Sequence, residues 1–331
     1  MNQELLQYKN FRIAELKNNY NNNCIFVTQY YNNIINIVLK SRAFNKTKQV
    51  NSIKSFLASS ISNLTNKYNS DVLVIQKFTP KQIKIDRAKK ALLIGINYTG
   101  TSNELFGCIN DVNSIKERIS SKGFTSINTI TDLTTQKPTR DNILLEFKNL
   151  LINSQAGDLL FFLYSGHGSY ALDKNSDEQD GYDELIVSSD LKGITDDELK
   201  TIIQQNLKND VTLFAMFDSC FSGTMLDLRY QYMDSLNYDN YTENSKEAIT
   251  IGNVFMISGC TDEQTSADAV FNNKANGAMT WCLLESLKQK PNETWRELVK
   301  NMRDLLKTSQ FDQIPQFSSG SFVNIDSPVF I

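Results

Sequence analysis

The pattern of apolar and polar positions changes in character near residue 89. Before that point, apolar residues recur at helical spacing around 5–16, 34–39 and 53–64, which predicts two or three helices within residues 1–88. From residue 89 onward, short apolar runs alternate with stretches of helical period. Strands alternating with helices predict an α/β fold, with a mostly parallel central sheet flanked by helices on both faces.

The same pattern predicts the individual elements of the second part. Strands are predicted at 91–96, 127–131, 158–164, 211–217 and 252–258. Helices are predicted at 108–121, 139–153 (with Thr139 as its N-cap), 195–207, 277–289 and 293–307. Residues 229–250 are polar, rich in Tyr and Asn and lack an apolar period, so we expect an exposed linker loop there. The expected domains are therefore a helical segment at 1–88 and an α/β domain at 89–331, whose parts 89–228 and 251–331 are separated by the loop.

Composition excludes several classes of protein. With 331 residues, of which 40% are hydrophobic, the chain is long enough for a packed core and unlike a fibrous or disordered protein. No run approaches about 18 apolar residues, and the N-terminus lacks the layout of a signal peptide. The five Cys are odd in number and scattered, which favours reduced thiols. We therefore expect a cytoplasmic protein without a membrane span.

Charge is distributed unevenly along the chain. Residues 1–88 carry 13 Lys and Arg against 4 Asp and Glu, whereas the remainder is acidic enough to give a net charge of −3. A basic arm could bind nucleic acid or an acidic membrane, lie across an acidic site of the next domain as an inhibitor, or form a separate helical module. Because its charges are dispersed singly, solvated helix faces are favoured, and we expect neither a nucleic-acid nor a membrane partner.

Two predicted strands end on residues suited to nucleophilic catalysis. Reactive residues in open α/β sheets gather beyond the carboxyl ends of the strands. One strand runs into Ser-Gly-His-Gly at 165–168, and another into Asp-Ser-Cys at 218–220. His167 is the only histidine, and Cys220 lies just past a strand with Ser and Gly following shortly after it. A structural His and a core Cys are the alternatives, but the strand-end positions and flanking glycines favour a catalytic pair.

These two motifs resemble those of the metacaspases, a family of caspase-like cysteine peptidases. The resemblance runs from about residue 89 to residue 322, with further ordered matches at 107–111, 258–268 and 314–320. It implies a caspase-like fold and a calcium-activated endopeptidase that cleaves protein or peptide substrates after Arg or Lys. Cys220 would be the nucleophile, His167 the general acid and base, and the N–H groups of Gly168 and Cys220 the oxyanion site. The resemblance further implies Ca²⁺ as activator, no organic cofactor and a monomer.

Two features depart from the usual pattern of the family. Phe221 follows the Cys where the family usually has His, but this position is not a catalytic partner, so activity is expected to survive. An Asn-rich helical segment stands where many type I members carry a proline- and glutamine-rich prodomain or a zinc finger, and the short linker argues against type II. A non-proteolytic regulator or scaffold that keeps the fold is the alternative, and the retained catalytic pair argues against it.

The resemblance implies an acidic specificity pocket built from four residues: Cys108, Asp111, Ser165 and Asp218. Two carboxylates in a concave site favour a guanidinium or ammonium group and disfavour an acidic side chain, which agrees with Arg or Lys specificity. From the residues alone, a first-turn helix carboxylate and a turn former would explain the two acids equally well.

Carboxylates are crowded after the His motif: Asp173, Asp177, Glu178, Asp180, Asp183, Glu184, Asp196, Asp197 and Glu198. Such runs are usually solvated, but a hard cation relieves their repulsion, and Ca²⁺ takes about six to eight oxygen ligands. The resemblance implies a calcium site at Asp183, Asp196, Asp197 and Asp227. Because the stretch between the first two is shorter than is usual in the family, Asp180 stays an alternative to Asp183.

A peptidase that prefers Arg or Lys will cut itself where such a residue lies exposed near its own cleft. Within 229–250 the candidates are Arg229 and Lys246. Arg229 follows the expected calcium ligand Asp227 and should be held by it, so Lys246 is the favoured site. The chain would then be a zymogen with calcium-dependent autocatalytic cleavage.

Overall fold

The computed structural model describes residues 3–41, 45–77, 88–172, 182–220, 222–223, 225–232, 241–244, 247, 249–259, 268–271, 274–321, 323 and 325–331. The chain divides into two compact units, Met1–Lys84 and Ile85–Ile331. The first unit contains helices α1 (Gln3–Lys40) and α2 (Lys46–Lys77), as the helical spacing predicts. They form a hairpin in which the rings of Tyr20 and Tyr68 stack with centroids 5.0 Å apart.

The second unit alternates strands and helices. Its described strands are β1 (Lys89–Gly95), β2 (Ser126–Thr131), β3 (Leu159–Ser165), β4 (Gly168–Leu172), β5 (Tyr182–Val187), β6 (Gly193–Thr195), β7 (Thr212–Asp218), β8 (Tyr230–Gln231), β9 (Thr242–Glu243), β10 (Asn253–Ser258), β11 (Asp268–Phe271), β12 (Lys274–Gly277) and β13 (Gln316–Ser319). Its described helices are α3 (Cys108–Ser121), α4 (Arg140–Ile152), α5 (Asp196–Asn206), α6 (Ala278–Gln289) and α7 (Trp295–Thr308).

The main sheet has the strand order β2-β1-β3-β7-β10-β13-β8-β9. The first five strands are parallel, and β13, β8 and β9 add an antiparallel edge. This architecture confirms the mostly parallel α/β sheet that the alternating pattern predicts. The short sheets β4-β5-β6 and β11-β12, which were not predicted, lie along the chain directly after the His motif and directly before α6.

Two apolar layers cover the faces of the main sheet. Leu93 and Phe161 belong to the layer that includes α3, α6 and α7, whereas Leu92 and Phe162 belong to the layer that includes α4 and α5. The central strands are buried on both faces, which explains why their sequences are continuous apolar runs. Thr139 precedes α4 and its side chain accepts from the Asn142 N–H, as predicted for an N-cap.

Within 229–250, where an exposed loop is expected, the structure contains two short strands: β8 is at least partly buried, whereas both residues of β9 are exposed. Strands β8 and β9 extend the main sheet, and Tyr230 and Tyr232 are only 4% and 2% exposed. The Tyr232 ring packs 5.6 Å from the ring of Phe317 and 5.7 Å from that of Tyr241. Tyrosine makes such a segment look polar because of its hydroxyl, while its ring supplies a large apolar surface.

Among the described residues, no helix combines the length and the apolar character that a membrane crossing requires.

Candidate active site

The His and Cys motifs meet at one edge of the main sheet. Strands β3 and β7 are parallel neighbours, and Ser165 is in register with Asp218. The Gly166 N–H donates to the Asp218 carbonyl oxygen over 3.3 Å, and Cys220 lies two residues beyond β7. Because parallel strands end at the same edge, the apolar runs of both strands place the two motifs side by side.

Gly168 packs directly against the backbone of Cys220. A Cβ on Gly168 would collide with the Cys220 carbonyl oxygen and would lie 3.0 Å from its carbonyl carbon and 3.2 Å from Ser219 Cβ. Only a residue without a side chain permits this approach. The glycine after His167 therefore brings the two predicted catalytic residues into one site.

A backbone carbonyl fixes the ring of His167. Its Nε2 lies 2.7 Å from the carbonyl oxygen of Asn103. Because a carbonyl oxygen can only accept, this contact requires the proton on Nε2 and leaves Nδ1 as the acceptor of the neutral ring. The ring also packs on Tyr98, with centroids 4.7 Å apart. The arrangement suits a base whose orientation is set by a third group.

Two buried tyrosines form hydrogen bonds around the His motif. The Tyr98 and Tyr164 hydroxyls are 3.1 Å apart, and both lie within hydrogen-bond distance of the Val187 carbonyl oxygen. The backbone N–H of His167 donates to the Tyr98 hydroxyl over 3.0 Å. Burial raises the pKa of both phenols, so they remain neutral hydrogen-bonding groups. Tyr98 has a φ of 51°, a left-handed conformation that is uncommon outside glycine.

Sequence reasoning missed Asn103, Tyr98 and Tyr164 as parts of the site. Asn103 acts through its main-chain oxygen, which every residue possesses, so no side-chain signal points to it. Tyr164 ends an apolar strand run and is typical of a core residue there.

The structure brings Asp111, Ser165 and Asp218 together, and their role as a specificity pocket stays a prediction. Asp111 on α3 is fully buried, and its Oδ2 accepts from the Ser165 hydroxyl over 2.8 Å. The Asp218 carboxylate accepts from the Thr280 N–H in the first turn of α6 over 2.8 Å. Cys108 is buried at the start of α3, one turn before Asp111.

The junction between β12 and α6 completes the acidic site. Asn276 Nδ2 donates to Asp111 Oδ1 over 3.0 Å, and the Gly277 N–H lies 3.0 Å from both Asp111 oxygens. A Cβ on Gly277 would lie 2.6 Å from Asp218 Cγ and 2.8 Å from Asp111 Oδ2. The two carboxylates thus approach one glycine, and sequence reasoning missed Asn276, Gly277 and Thr280.

Burial and mutual repulsion set the electrostatics of this acid pair. The pKa of Asp111 is raised well above its usual range, first because the carboxyl is buried and second because Asp218 is negative. Hydrogen bonds from Asn276, Ser165 and Gly277 oppose this shift. A cation that entered the site would relieve the same repulsion.

A second group of buried carboxylates lies at the start of α5. Asp196 is 1% exposed, and its Oδ2 accepts from the Glu184 N–H of β5 over 3.2 Å. Burial, the charge of Asp227 and the side chain of Glu184 raise the pKa of Asp196 to about 10. Asp197 follows in the first turn, and Asp183 is buried beside Glu184 in β5. Glu184 is in contact with this group, although it was not among the expected calcium ligands.

Lys200 lies against the same group of carboxylates. Its Nζ is 3.3 Å from Asp227 Oδ2 and 2.8 Å from Glu247 Oε2. Burial alone would lower the pKa of Lys200, but the two carboxylates outweigh burial and raise it. These two ion pairs connect α5 to the segment that precedes β8 and to the segment that follows β9.

The carboxylate donors fit a hard cation chemically, because all are hard oxygens that repel one another in a buried place. They are not assembled around one point, since no group of three or more His, Cys, Asp or Glu side chains in the described part of the chain could hold a metal ion. The alternative ligand Asp180 lies outside the described residues.

The two candidate self-cleavage positions differ in what the structure describes. Arg229 is held in place, with Nη2 2.6 Å from Glu243 Oε1 and Nη1 donating to the Glu247 carbonyl oxygen over 2.8 Å. Its side chain is only 22% exposed, which disfavours it as a cleavage site. Lys246 and Phe221 lie outside the described residues.

Comparison with known proteins shows a consistent similarity to one family. Residues 89–229 match the family model described as metacaspase, peptidase C14 domain. Metacaspase-1 of Meyerozyma guilliermondii is 34% identical over 284 residues, which cover 70% of this chain and 69% of that protein. Metacaspase-1 of Mycosarcoma maydis is 35% identical, covering 72% of each. Metacaspase-2 of Trypanosoma brucei brucei is 36% identical, covering 72% of this chain and 75% of that protein.

A solved structure is similar to this chain as well. The crystal structure of a Geobacter sulfurreducens protein superimposes with a TM-score of 0.54 at 25% sequence identity. The match covers 72% of this chain and 95% of that one.

Proposed function

The chain belongs to the metacaspase family of cysteine peptidases and has a caspase-like fold, and we propose that it is a calcium-activated endopeptidase that cleaves after Arg or Lys. The observation that carries the proposal is the contact of Gly168 with the Cys220 backbone, beside an acid pair formed by Asp111 on α3 and Asp218 at the end of β7. A nucleophile, a base and a cation-selective site then lie on one sheet edge.

Cys220 is the proposed nucleophile, and His167 its acid–base partner. With Nε2–H directed to Asn103, the acceptor Nδ1 of His167 is available to take the thiol proton. The Cys220 sulfur would attack the scissile carbonyl, and His167 would return the proton to the leaving amine. Water would then hydrolyse the thioester with His167 as general base. The N–H groups of Gly168 and Cys220 are the proposed donors to the oxyanion.

Asp111 and Asp218 are the proposed binding residues for the substrate side chain. Asp218 precedes the nucleophile by two residues, so a side chain bound there places the following peptide bond near Cys220. A guanidinium or ammonium group would relieve the repulsion that raises the pKa of Asp111, whereas an acidic side chain would increase it.

Calcium is the proposed activator. Asp183, Asp196, Asp197 and Asp227 would hold the ion, which would relieve the repulsion among these crowded carboxylates. Because Lys200 now contacts Asp227, formation of such a site requires that this ion pair be rearranged. We further propose Lys246 as the calcium-dependent self-cleavage site, because the contacts of Arg229 hold that side chain in place.

Hydrolysis of matched peptides ending in Arg, Lys or Asp, with added calcium and with chelator, tests the proposal. Wild type should turn over the Arg and Lys peptides with calcium only, and Cys220→Ala and His167→Ala should turn over none. Preference for the Asp peptide, or full activity in chelator, would contradict the specificity or the activation respectively.

A further inference from the structure

Asn276 is buried in the acidic site without an assigned role. It is 7% exposed, at the end of β12, and its amide nitrogen donates to Asp111 Oδ1 over 3.0 Å. The next residue, Gly277, donates its N–H to the same carboxylate. Consecutive residues of one strand therefore bind a single fully buried acid.

The strand that carries Asn276 is anchored on α3. Asn110 Nδ2 donates to the Ala275 carbonyl oxygen over 2.8 Å, and the backbone of Asn276 pairs with Ala269 in β11. Because these contacts hold the backbone around Asn276, its side-chain amide has a fixed position against Asp111.

The donors around Asp111 differ in how they tolerate its protonation. The Ser165 hydroxyl can rotate and accept a hydrogen bond from a protonated carboxyl, because a hydroxyl is both donor and acceptor. An amide NH₂ can only donate, so Asn276 Nδ2 is compatible with the bare oxygen at Oδ1 and not with a proton there. A proton on Oδ2 would leave Oδ1 able to accept, so the preference comes from charge: the hydrogen bond from Asn276 is stronger to a carboxylate than to a neutral carboxyl, and it lowers the pKa of Asp111.

The other groups around Asp111 favour its neutral form. Asp218 of β7 faces it with a negative charge, and burial disfavours ionisation further. On α6, the Cys282 thiol is buried, and burial and Asp218 raise its pKa, so it stays neutral and supplies no positive charge. The Cys108 thiol lies one turn away on α3. An Asp111 that became neutral would attract a cationic side chain less strongly.

Building on the proposed Arg and Lys specificity, we propose that Asn276 is a positioning residue for substrate recognition. Its side-chain amide favours the ionised form of Asp111 against burial and Asp218 and fixes the orientation of the carboxylate, so that the acid pair attracts the cationic side chain of the substrate. It acts through Asp111 and need not touch the substrate itself.

The test is the pH profile of Asn276→Leu, which removes the amide donor and keeps the branching of the side chain. At neutral pH its kcat/KM for Arg-ended peptides should fall about 10- to 100-fold, the loss expected for a hydrogen bond to a charged group. A higher KM should account for more of this loss than a lower kcat. The rising limb of the profile should move up by about one pH unit or more, so that wild type and variant converge at high pH.

Asn301→Leu is the matched control. Asn301 Nδ2 donates to the Glu293 carboxylate over 2.6 Å on α7, a bond of the same kind outside the site. This variant should lose stability while its pH profile stays in place. Alkylation of Cys220 at the wild-type rate in Asn276→Leu would show that the fold is intact.

The outcomes separate this inference from the proposed function. A loss that is equal at every pH, or an unchanged profile, would overturn the role of Asn276. If wild type itself failed to cleave Arg-ended peptides, the proposed function would fail, and unfolding measurements would still decide on Asn276. Without the Asn276 amide, Asp111 would hold its proton to a higher pH, so the free energy of unfolding should keep falling with rising pH over a wider pH range than in wild type. The same pH range in variant and wild type would overturn the inference.

Discussion

Two glycines allow the close approaches on which the active site depends. Gly168 stands against the carbonyl group of Cys220, and Gly277 stands between the Asp111 and Asp218 carboxylates. At either position a methyl group would occupy space already taken by another group of the site. The distance between the His and Cys motifs is thus set by the absence of one side-chain atom.

Gly168→Ala should abolish most peptide hydrolysis. The added Cβ must push the His motif away from Cys220, and a misplacement of about 1 Å can cost about 100-fold in rate. The measurement is kcat/KM for an Arg-ended peptide, with circular dichroism to confirm folding.

Gly123→Ala separates crowding from backbone strain in that experiment. Gly123 has a φ of 87° and no heavy atom within 4 Å of a Cβ placed on it, so the substitution strains the turn without a collision. It should cost roughly 1 kcal/mol of stability and leave kcat/KM unchanged. Wild-type activity in Gly168→Ala would show that the contact does not set the catalytic geometry.

The sequence predicted those parts of the site that carry side-chain chemistry at strand ends. A lone His between glycines and a Cys after an apolar strand are local signals, and the structure brings both motifs together. Asn103 and Asn276 left no such signal. One acts through its main-chain oxygen, and the other reaches Asp111 across 165 residues of sequence.

Helix α5 concentrates acidic residues because of how it begins. Thr195 and Glu198 form a capping box, and Asp196 and Asp197 in the first turn are favoured by the helix dipole. One turn later, Lys200 reaches Asp227 and Glu247. The acidic run at 196–198 therefore has a structural explanation in addition to the proposed calcium site.

Lys200→Met should destabilise the calcium-free protein and lower the calcium concentration needed to stabilise it. Removing the cation leaves two largely buried carboxylates without their partner, which typically costs about 3–5 kcal/mol. Calcium no longer competes with the ammonium for Asp227. The measurement is the melting temperature as a function of added calcium.

Lys192→Met is the control, because Lys192 pairs with Asp190 at 2.9 Å on the surface, with the Lys side chain 62% exposed. Its loss should change stability by no more than about 1 kcal/mol and leave the calcium midpoint in place. The same midpoint in Lys200→Met and wild type would rule out competition at Asp227.

At the level of elements, the sequence predicted long or apolar segments well and short, aromatic ones poorly. Strands β1, β3 and β7 are continuous apolar runs because both of their faces are buried. Strands β8 and β9 are two residues each, so no period can be seen in them. Their position depends on aromatic packing around Tyr232, which only the tertiary structure reveals.

The acid pair should also affect the stability of the whole molecule as pH changes. The pKa of Asp111 is raised above its ordinary 3.8, so the folded protein keeps a proton that the unfolded chain releases. Its contribution is fully present below pH 3.8 and is lost as pH rises through the folded pKa. Relative to Asp111→Asn, wild type should lose up to about 1.4 kcal/mol per pH unit, measured by urea unfolding between about pH 5 and pH 8.

Asp158→Asn provides the opposite case. Burial would raise the pKa of Asp158, but Lys90 and the Gln155 and Ala88 N–H groups outweigh it and lower the pKa overall. Its contribution is lost only as pH falls below the ordinary range, so the difference from wild type should be flat over the same interval. A flat difference for Asp111→Asn as well would show that the pKa of Asp111 is not raised above its ordinary value in the folded protein.

Labelling with thiol-reactive ketone peptides in the presence of calcium, followed by peptide mapping by mass spectrometry, tests whether Cys220 and His167 form a peptidase site for cationic side chains. An Arg-ended probe should modify Cys220 in the wild-type protein, and neither Cys220→Ala nor His167→Ala should be modified at a comparable rate. An Asp-ended probe of the same length should leave Cys220 unmodified. Modification of another cysteine by the Arg-ended probe would contradict Cys220 as the nucleophile. Equal labelling of Cys220 by both probes would contradict the preference for a cationic side chain.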